Sequence, residues 1–398
     1  MTKVLELNMR EAQLKRRLRR HLSSLGYTRS QNGNLVLQDI GKEAIRQLHA
    51  PQRAAILKSQ REFISAKMPS LLRYFASGSE VSVPGIRVRV ERVDSGTWQG
   101  DLFRLATLTW SVPVSNGFGR RLRYLVWDDS NDKLIGIFAI GDPVFNLSVR
   151  DNCIGWSGDD RAARLVNLMD AYVLGAVPPY NMLLGGKMIA CLIRSTDVYR
   201  DFQQHYGNVK GIISGEQKGA RLLAVTTSSS MGRSSIYNRL KLDGVTYFQS
   251  VGFSGGWGHF HVPDSLFADM CDYLRDSGDS SPDMHAFGQG PNWRIRTLRN
   301  ALKALGFKGD LLKHGVQREV FISLLAENAT KILCTGKGRP NIENLLSVDE
   351  VGALAIERWL TRRAATRPEY LAWDVAQLPE LIKTSYRQRQ TDLNARVA

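Results

Sequence analysis

Apolar residues near the N-terminus recur at the spacing of an α-helix. They are Leu14, Leu18, Leu22 and Leu25. Residues three or four apart share one helix face, and lysines and arginines fill the remaining faces. A second helical pattern runs from Lys42 to Met68, where Pro51 predicts a new helix start. The pattern predicts a basic α-helical domain over residues 1–75.

From Val81 the pattern changes to the alternation of β-strands. Ile86, Val88 and Val90 interleave with charged residues, as in a half-buried strand. A β-hairpin is predicted over 124–140, and further strands over 171–177, 222–227, 247–253 and 259–262. Helices are predicted over 159–169, 183–193, 234–240 and 265–274. This order indicates an α+β fold whose central mixed sheet domain spans residues 76–280.

The C-terminal part returns to helical spacing. Residues 276–283 are rich in Ser, Gly, Asp and Pro and indicate a linker. Trp293–Leu305 then forms a basic amphipathic pattern, and the rest is predicted to be helical apart from a loop at 335–340. Residues 281–398 are therefore predicted to be a basic, mainly α-helical region.

The positive charge of the chain is concentrated in these two end regions. The formal net charge is +16, and residues 1–75 hold 15 Lys+Arg against 5 Asp+Glu. Residues 76–280 hold 21 of each kind, and residues 281–398 hold 18 against 12. A neutral body with basic ends favours a polyanionic partner, with DNA favoured over RNA, although a solvated basic surface would give the same excess. The residues predicted to bind nucleic acid are Lys15, Arg16, Arg17, Arg19, Arg20, Arg294, Arg299 and Lys303.

Several functional classes receive no support from the sequence. The four cysteines are far apart and show no metal-binding or disulfide spacing. The N-terminus lacks the apolar core of a secretory signal, and no window reaches the length of a membrane span. We expect a cytoplasmic protein without a membrane partner or metal site, and the sequence identifies no cofactor.

A hydroxyl-rich loop between a predicted strand and a predicted helix is a candidate anion site. It contains Ser229, Ser230, Arg233 and Ser234. Hydroxyls, backbone N–H groups and one guanidinium can converge there on a phosphate. Helix capping and turn formation explain the same residues equally well.

Two glycines near a predicted helix start form a second candidate. Gly185 and Gly186 could let backbone amides receive a pyrophosphate, although packing of the helix against the sheet explains them equally well. The stretch is not a P-loop, because the required upstream glycine is missing and Met188 replaces the hydroxyl residue after Lys187.

Three further residues are candidates for acid–base chemistry. His259 and His261 stand two apart on a predicted strand, so both rings share one face. They suit an acid–base pair or part of a metal site, but structural histidines are the simpler interpretation. Asp142 follows a predicted strand, a common position for a catalytic carboxylate.

Several long segments resemble a known protein family. The most distinctive are TTSSSMGRSSIYNRLK (226–241), GFSGGWGHFH (252–261) and HGVQREVF (314–321). These segments, with YLVWDDSNDKLIGIFAIGDPVFNL (124–147), resemble the DruA proteins of Druantia anti-phage defence systems. The resemblance covers residues 5 to 375 approximately. It implies a bacterial defence component that works beside other proteins of its system, including a large helicase-like partner.

The middle domain also shows a looser similarity to GNAT-type N-acetyltransferases. On that analogy residues 180–186 would form the pyrophosphate loop, and Tyr237 would lie near the thiol leaving group. The loop departs from the family pattern, because it lacks the arginine or glutamine and the spaced glycines. Our leading interpretation is a nucleic-acid-binding defence protein whose core recognises a phosphate-bearing or nucleotide-like ligand. The alternatives are a CoA-dependent acyltransferase acting on a DNA base or a protein, with Tyr237, His259 or His261 as acid or base, and a non-catalytic adaptor.

Overall fold

The structure is a computed structural model that describes residues 2–29, 35–37, 41–208, 219–255, 261–283, 293–307 and 317–383. The chain divides into two compact units. Unit 1 contains Met1–Ile56, Gly255–Gln317 and Ser385–Ala398, and unit 2 contains Leu57–Ser254 and Arg318–Thr384. The domain boundaries proposed from the sequence stay a prediction.

The helices and strands are numbered in chain order. The strands are β1 (Tyr27–Arg29), β2 (Leu35–Leu37), β3 (Val88–Arg92), β4 (Arg121–Asp128), β5 (Lys133–Gly141), β6 (Leu168–Ala176), β7 (Ala224–Ser228), β8 (Leu240–Leu242), β9 (Val245–Phe253) and β10 (Glu319–Leu324). The helices are α1 (Thr2–Ser24), α2 (Lys42–Ser59), α3 (Arg61–Leu71), α4 (Trp98–Thr107), α5 (Ser148–Ile154), α6 (Gly158–Arg164), α7 (Gly185–Leu192), α8 (Thr196–Tyr206), α9 (Asp264–Asp276), α10 (Trp293–Ala304), α11 (Ala329–Thr335), α12 (Val348–Ala355), α13 (Arg362–Thr366) and α14 (Leu378–Lys383).

Unit 1 is built mainly from helices α1, α9 and α10. Helix α1 packs on α9, and α9 packs on α10. The predicted leucine stripe of α1 is buried, with Leu18 at 0% exposure. Leu298 and Leu302 of α10 are also buried. The amphipathic spacing therefore identified the buried faces of both basic helices.

Pro51 does not begin a new helix, contrary to the sequence prediction. It lies inside α2, and the break falls at Gln60, before α3. A proline removes one backbone hydrogen bond, but a helix can continue past it.

Unit 2 is organised around one mixed sheet. The strand order is β3-β4-β5-β6-β7-β10-β9-β8. Neighbouring strands are antiparallel except for β6 and β7, which run parallel. Helices α7 and α8 lie between β6 and β7 in the sequence, as parallel neighbours require a long crossover. The predicted α+β class is confirmed.

The parallel pair β6–β7 is short. It pairs Leu168 with Ala224 and Asp170 with Thr226 at its two ends. Strand β6 continues to Ala176 beside β5, but it has no further partner residues on β7. Backbone pairing of the two central strands therefore ends at Asp170, in the middle of the sheet, and the Thr227 hydroxyl donates to the Ala171 carbonyl at 2.9 Å beyond it.

Apolar clusters occur among the side chains of unit 2. The larger cluster includes Phe138, Met188 and Val225, and a smaller one includes Trp156, Ile322 and Leu333. The indole Nε1 of Trp156 donates a hydrogen bond to the Leu333 carbonyl oxygen at 2.6 Å. These contacts join α5 and α11 to the sheet.

Three local predictions were wrong. Strand β10 was expected to be helical, but it is buried between β7 and β9. Residues 235–239 form turns rather than a helix, although the Ser234 hydroxyl accepts the N–H groups of Ile236 and Tyr237 at 3.1 Å, as a helix-capping serine would. His261 and Val262 lie outside any strand and precede α9.

None of the helices in the described ranges is long and apolar enough to span a membrane.

Candidate anion and nucleic-acid sites

Two pairs of exposed cations lie on the helices of unit 1. Arg16 and Arg20 stand four residues apart on α1, and Arg299 and Lys303 do so on α10. Each pair therefore shares one helix face. None of the four has an acidic partner within the part of the chain that the structure describes.

The other predicted nucleic-acid-binding residues have partners inside unit 1. Lys15 pairs with Glu11, and Arg17 pairs with Asp269. Arg294 pairs with Asp264 at 2.9 Å and lies 4.2 Å from the centre of the Phe267 ring. Arg19 lies 5.9 Å from the Phe307 ring centre. Ion pairs thus neutralise Lys15, Arg17 and Arg294, whereas the contact of Arg19 with an aromatic ring leaves its charge unpaired.

The hydroxyl-rich loop follows β7 directly. The Ser229 N–H donates to the Glu319 carbonyl at 2.8 Å, and the Glu319 N–H donates to the Gly232 carbonyl at 3.2 Å. Both bonds fasten the loop to β10. Ser229 is buried, whereas Ser230 and Arg233 are exposed. The loop is thus a fixed structure that presents one hydroxyl and one guanidinium to solvent.

Ser234 has a structural part in this loop. Its hydroxyl accepts two backbone N–H groups, from Ile236 and Tyr237. The arrangement is that of a capping serine, which fixes the turn leading to β8. The lone pairs of the oxygen are therefore used by the protein backbone, whereas its O–H group can still donate to an anion.

The paired glycines begin helix α7. The Gly185 N–H donates to the Tyr180 carbonyl at 2.9 Å, and a Cβ at Gly185 would lie 2.7 Å from the same oxygen. A larger residue would not fit there. A Cβ at Gly186 would lie 3.4 Å from Ile236. The absence of a side chain at Gly185 therefore allows the preceding loop to pack closely against the start of α7.

His261 lies in unit 1 beside the start of α9. Its carbonyl oxygen accepts a hydrogen bond from His21 Nε2 at 2.6 Å. Burial lowers the pKa of the His261 imidazole, and the charge of Arg294 lowers it further. The ring is therefore held in its neutral form at pH 7. His259 lies outside the described residues.

Asp142 is bound to Arg120 in unit 2. Arg120 Nε donates to Asp142 Oδ1 at 2.7 Å, and the Arg120 backbone N–H donates to Oδ2 at 3.0 Å. Arg120 also donates to the Val166 carbonyl at 2.8 Å. The carboxylate thereby links β4, β5 and the segment before β6.

Tyr237 is packed against aromatic rings of the sheet. Its ring centre lies 5.3 Å from those of Phe248 and Phe321. Burial raises the pKa of its hydroxyl to about 12, a hydrogen bond from Thr227 lowers it, and nearby Asp170 raises it. The hydroxyl stays protonated at physiological pH and could act only as a proton donor.

A polar cluster at the parting of β6 and β7 was missed by the sequence analysis. Asp170 Oδ1 accepts a hydrogen bond from Thr226 Oγ1 at 2.8 Å. Burial raises the pKa of Asp170 to about 6, against the opposing effects of Thr226 and Arg150. A single carboxylate within the apolar run of β6 was the available signal. With Tyr237 nearby, this cluster combines a carboxyl that titrates near neutrality with a protonated phenol.

Arg150 lies in the core, and its charge acts on Asp170. It is 0% exposed, and its Nε and Nη2 donate to Asp151 Oδ1 at 2.9 and 2.7 Å. Nη1 donates to the carbonyl of Val144 at 2.8 Å, and Nη2 donates also to the carbonyl of Phe145 at 2.9 Å. Burial lowers the pKa of the guanidinium, while Asp151 raises it. Across the described ranges, no group of three or more His, Cys, Asp or Glu residues could hold a metal ion.

These observations define the class: a basic α+β protein with one mixed sheet and a helical unit that exposes unpaired cations. Comparison with known proteins narrows the class. The family described as Druantia protein DruA matches residues 39–335. A relative from Escherichia coli (strain UMEA 4076-1), named Druantia protein DruA, is 60% identical over 379 residues, which cover 95% of this chain and 94% of the relative.

The chain belongs to the DruA family, whose members are components of Druantia anti-phage defence systems. The resemblance found in the sequence is thereby confirmed at the level of the family. No solved structure matches the chain.

Proposed function

We propose that the protein acts in anti-phage defence by binding nucleic acid, DNA in preference to RNA, through the basic helices of unit 1. One observation carries this proposal: Arg16 with Arg20, and Arg299 with Lys303, form exposed pairs with no acidic partner in the described part of the chain. Such pairs suit the regularly spaced phosphates of a nucleic-acid backbone. Contacts between these cations and phosphates carry no information about base sequence.

The cellular setting follows from the family. A Druantia component acts beside other proteins of its system, and we propose that these include a helicase-like partner that shares the nucleic-acid substrate. We propose that the protein encounters this nucleic-acid substrate in the cytoplasm.

The core of unit 2 is proposed to recognise a phosphate-bearing ligand. Support at the hydroxyl-rich loop comes from the exposed Ser230 and Arg233, whose backbone neighbours Ser229 and Gly232 are bonded to Glu319. A guanidinium and a hydroxyl that are exposed on the same loop can both donate hydrogen bonds to an oxyanion.

The test of nucleic-acid binding is fluorescence anisotropy with single- and double-stranded DNA and RNA oligonucleotides at several salt concentrations. The variant R16A/R20A/R299A/K303A removes the two unpaired couples. Its matched control, K331A/K337A/R339A/R362A, removes four exposed cations of unit 2. Each lost phosphate contact should reduce the slope of log K against log salt by about 0.9. We expect a slope reduced by about 3 to 4 in the first variant and an unchanged slope in the control.

Equal binding by the two variants would contradict the proposal, as would absence of binding by the parent protein. The second result would favour the adaptor, in which the basic helices dock a partner protein.

A CoA-dependent acyltransferase is the second candidate. It is favoured by the parting of the parallel strands β6 and β7, with Asp170 and Tyr237 close to that point. A carboxylate can accept a proton from an amine, and a phenol can donate one to a thiolate. Calorimetric titration of the protein with acetyl-CoA tests this candidate, with Y237F and D170N as variants. Absence of binding by the parent protein would exclude it.

A further inference from the structure

A cavity in unit 2 has no part in the functions proposed so far. It measures about 570 Å³ and lies where the end of β3, the start of β4 and helix α8 meet. This volume falls in the range of small-molecule binding sites. The residues used below are Arg92, Arg121, Arg123, Tyr172, His205 and Tyr206, all of which line the cavity.

Three arginines on two neighbouring strands supply positive charge to this cavity. Arg121 donates to the carbonyl of Asn116 at 3.3 Å, and Arg123 donates to the hydroxyl of Ser95 at 3.1 Å. Neither partner is charged. The lining therefore holds two guanidinium groups whose charge is not neutralised by any partner in the described chain.

The third arginine, Arg92, forms an ion pair whose acidic partner an incoming anion can displace. Arg92 Nη1 lies 3.0 Å from Asp94 Oδ1, and the Asp94 side chain is 66% exposed. Exposed ion pairs are weak because water and salt screen them. An incoming anion can replace Asp94 at little cost.

Tyr172 forms a wall of the cavity at an irregularity of the sheet. Pairing of β5 with β6 passes from Ala171 to Val173, so Tyr172 has no partner residue opposite. Such a bulge re-aims a side chain. The ring lies against Gly117, where a Cβ would be 2.7 Å from Tyr172 Cε1. Only a glycine at residue 117 leaves the ring in this position.

The electrostatics of Tyr172 place the arginines near its hydroxyl. Burial raises the pKa of this hydroxyl, and the charges of Arg123 and Arg121 act in the opposite direction. Both guanidinium groups are therefore close enough to influence one point on the cavity wall.

Helix α8 completes the cavity. The Tyr206 hydroxyl accepts from the Arg121 N–H and donates to the Arg121 carbonyl, both at 3.0 Å. His205 Nδ1 donates to the Asp201 carbonyl at 2.8 Å. These bonds hold the end of α8 against the start of β4, so the cavity is formed before any ligand arrives.

We infer that this cavity binds the phosphate group of a nucleotide-sized ligand, with Arg121 and Arg123 as the principal contacts. Guanidinium groups bind phosphate oxygens through charge-assisted, often bidentate hydrogen bonds, and the adjacent tyrosine rings offer a flat surface to a base. The inference goes beyond the proposed function, because it requires neither the cations of unit 1 nor the hydroxyl-rich loop.

The test is isothermal titration calorimetry of the full-length protein with ATP, AMP, pyrophosphate and adenosine. The variant R121Q/R123Q removes the two charges, and K337Q/R339Q is the control with the same change of net charge at exposed positions outside the cavity. Loss of a charged hydrogen bond reduces affinity about 10-fold or more. We expect the phosphate ligands to bind, adenosine not to bind, and R121Q/R123Q to lose about 100-fold in affinity.

Unchanged affinity in R121Q/R123Q would overturn the inference, and so would absence of binding by all three phosphate ligands at millimolar concentration. Thermal unfolding checks that the variant is folded. If it is not, R92Q replaces it, with an expected loss of about 10-fold. The oligonucleotide affinity of R121Q/R123Q should equal that of the parent protein, so this test and the test of nucleic-acid binding fail independently.

Discussion

Arg120 and Asp142 are joined at two points, by the guanidinium Nε at 2.7 Å and by the backbone N–H at 3.0 Å. Both side chains are largely buried, at 18% and 28% exposure. Removing the carboxylate leaves Arg120 without its charged partner. We expect D142A to lower the free energy of unfolding by about 1–3 kcal/mol, measured by urea denaturation.

The matched control is E369A, because Glu369 pairs with Arg367 at 59% exposure. We expect its unfolding free energy to change by less than about 0.5 kcal/mol. If D142A were as stable as E369A, the carboxylate would have no structural part, and its interpretation as a catalytic group would gain weight.

The fully buried Arg150 gives a second prediction. Its variant R150M leaves the carboxylate of Asp151 buried with only Arg161, at 3.0 Å, as a charged partner. We expect a loss of about 3 kcal/mol in the free energy of unfolding, because the buried carboxylate loses one of its two counter-ions. Chemical denaturation measures this loss. A change below about 1 kcal/mol would show that the pair is dispensable to the core.

Asp170 predicts a pH dependence of stability. Its pKa in the folded protein is raised to about 6, whereas in the unfolded chain it is about 3.9. The folded state therefore binds the proton more tightly, and its ionisation costs stability as pH rises from 4 to 6. Relative to D170N, the parent protein should lose about 2 kcal/mol over that interval and about 0.4 kcal/mol more between pH 6 and 7.

Urea unfolding of both proteins at pH 4, 5, 6 and 7 measures this difference, in which the contributions of other titrating groups cancel. A difference that did not change with pH would mean that Asp170 is ionised throughout.

Substitution of Arg233 distinguishes a ligand-binding role of the hydroxyl-rich loop from a purely structural one. Its side chain is exposed, so R233A should change the free energy of unfolding by less than about 0.5 kcal/mol. If the loop binds a phosphate-bearing ligand, bacteria carrying the defence system with R233A should lose protection in a phage plaque assay. The control R339A removes another exposed arginine of unit 2 and should leave protection intact. Full protection with R233A would remove this loop from the function.

The sequence predicted the elements whose residues follow a simple period. Leu14, Leu18 and Leu22 of α1 repeat at helical spacing, and all three are buried. The hairpin of β4 and β5 was predicted because two apolar runs flank a polar turn. Such patterns report burial on one face, which is a local property of the chain.

The sequence did not predict relations that depend on distant partners. Strand β10 was taken for helix, because the reason for its extended form is its two neighbours, β7 and β9. The arginine-lined cavity was missed for the same cause, since Arg92, Arg123 and His205 converge only when α8 meets the sheet. The ion pairs of Arg17 and Arg294 were also invisible, because their acidic partners lie on α9.

The position of β10 has a consequence for synthesis on the ribosome. The strand enters the sheet between β7 and β9, yet it is translated after them, and residues 255–317 of unit 1 come between. Until Leu324 has left the exit tunnel, β7 and β9 each present an unpaired edge. Exposed edges invite pairing with other chains. A nascent chain stalled before β10 should therefore be prone to aggregation.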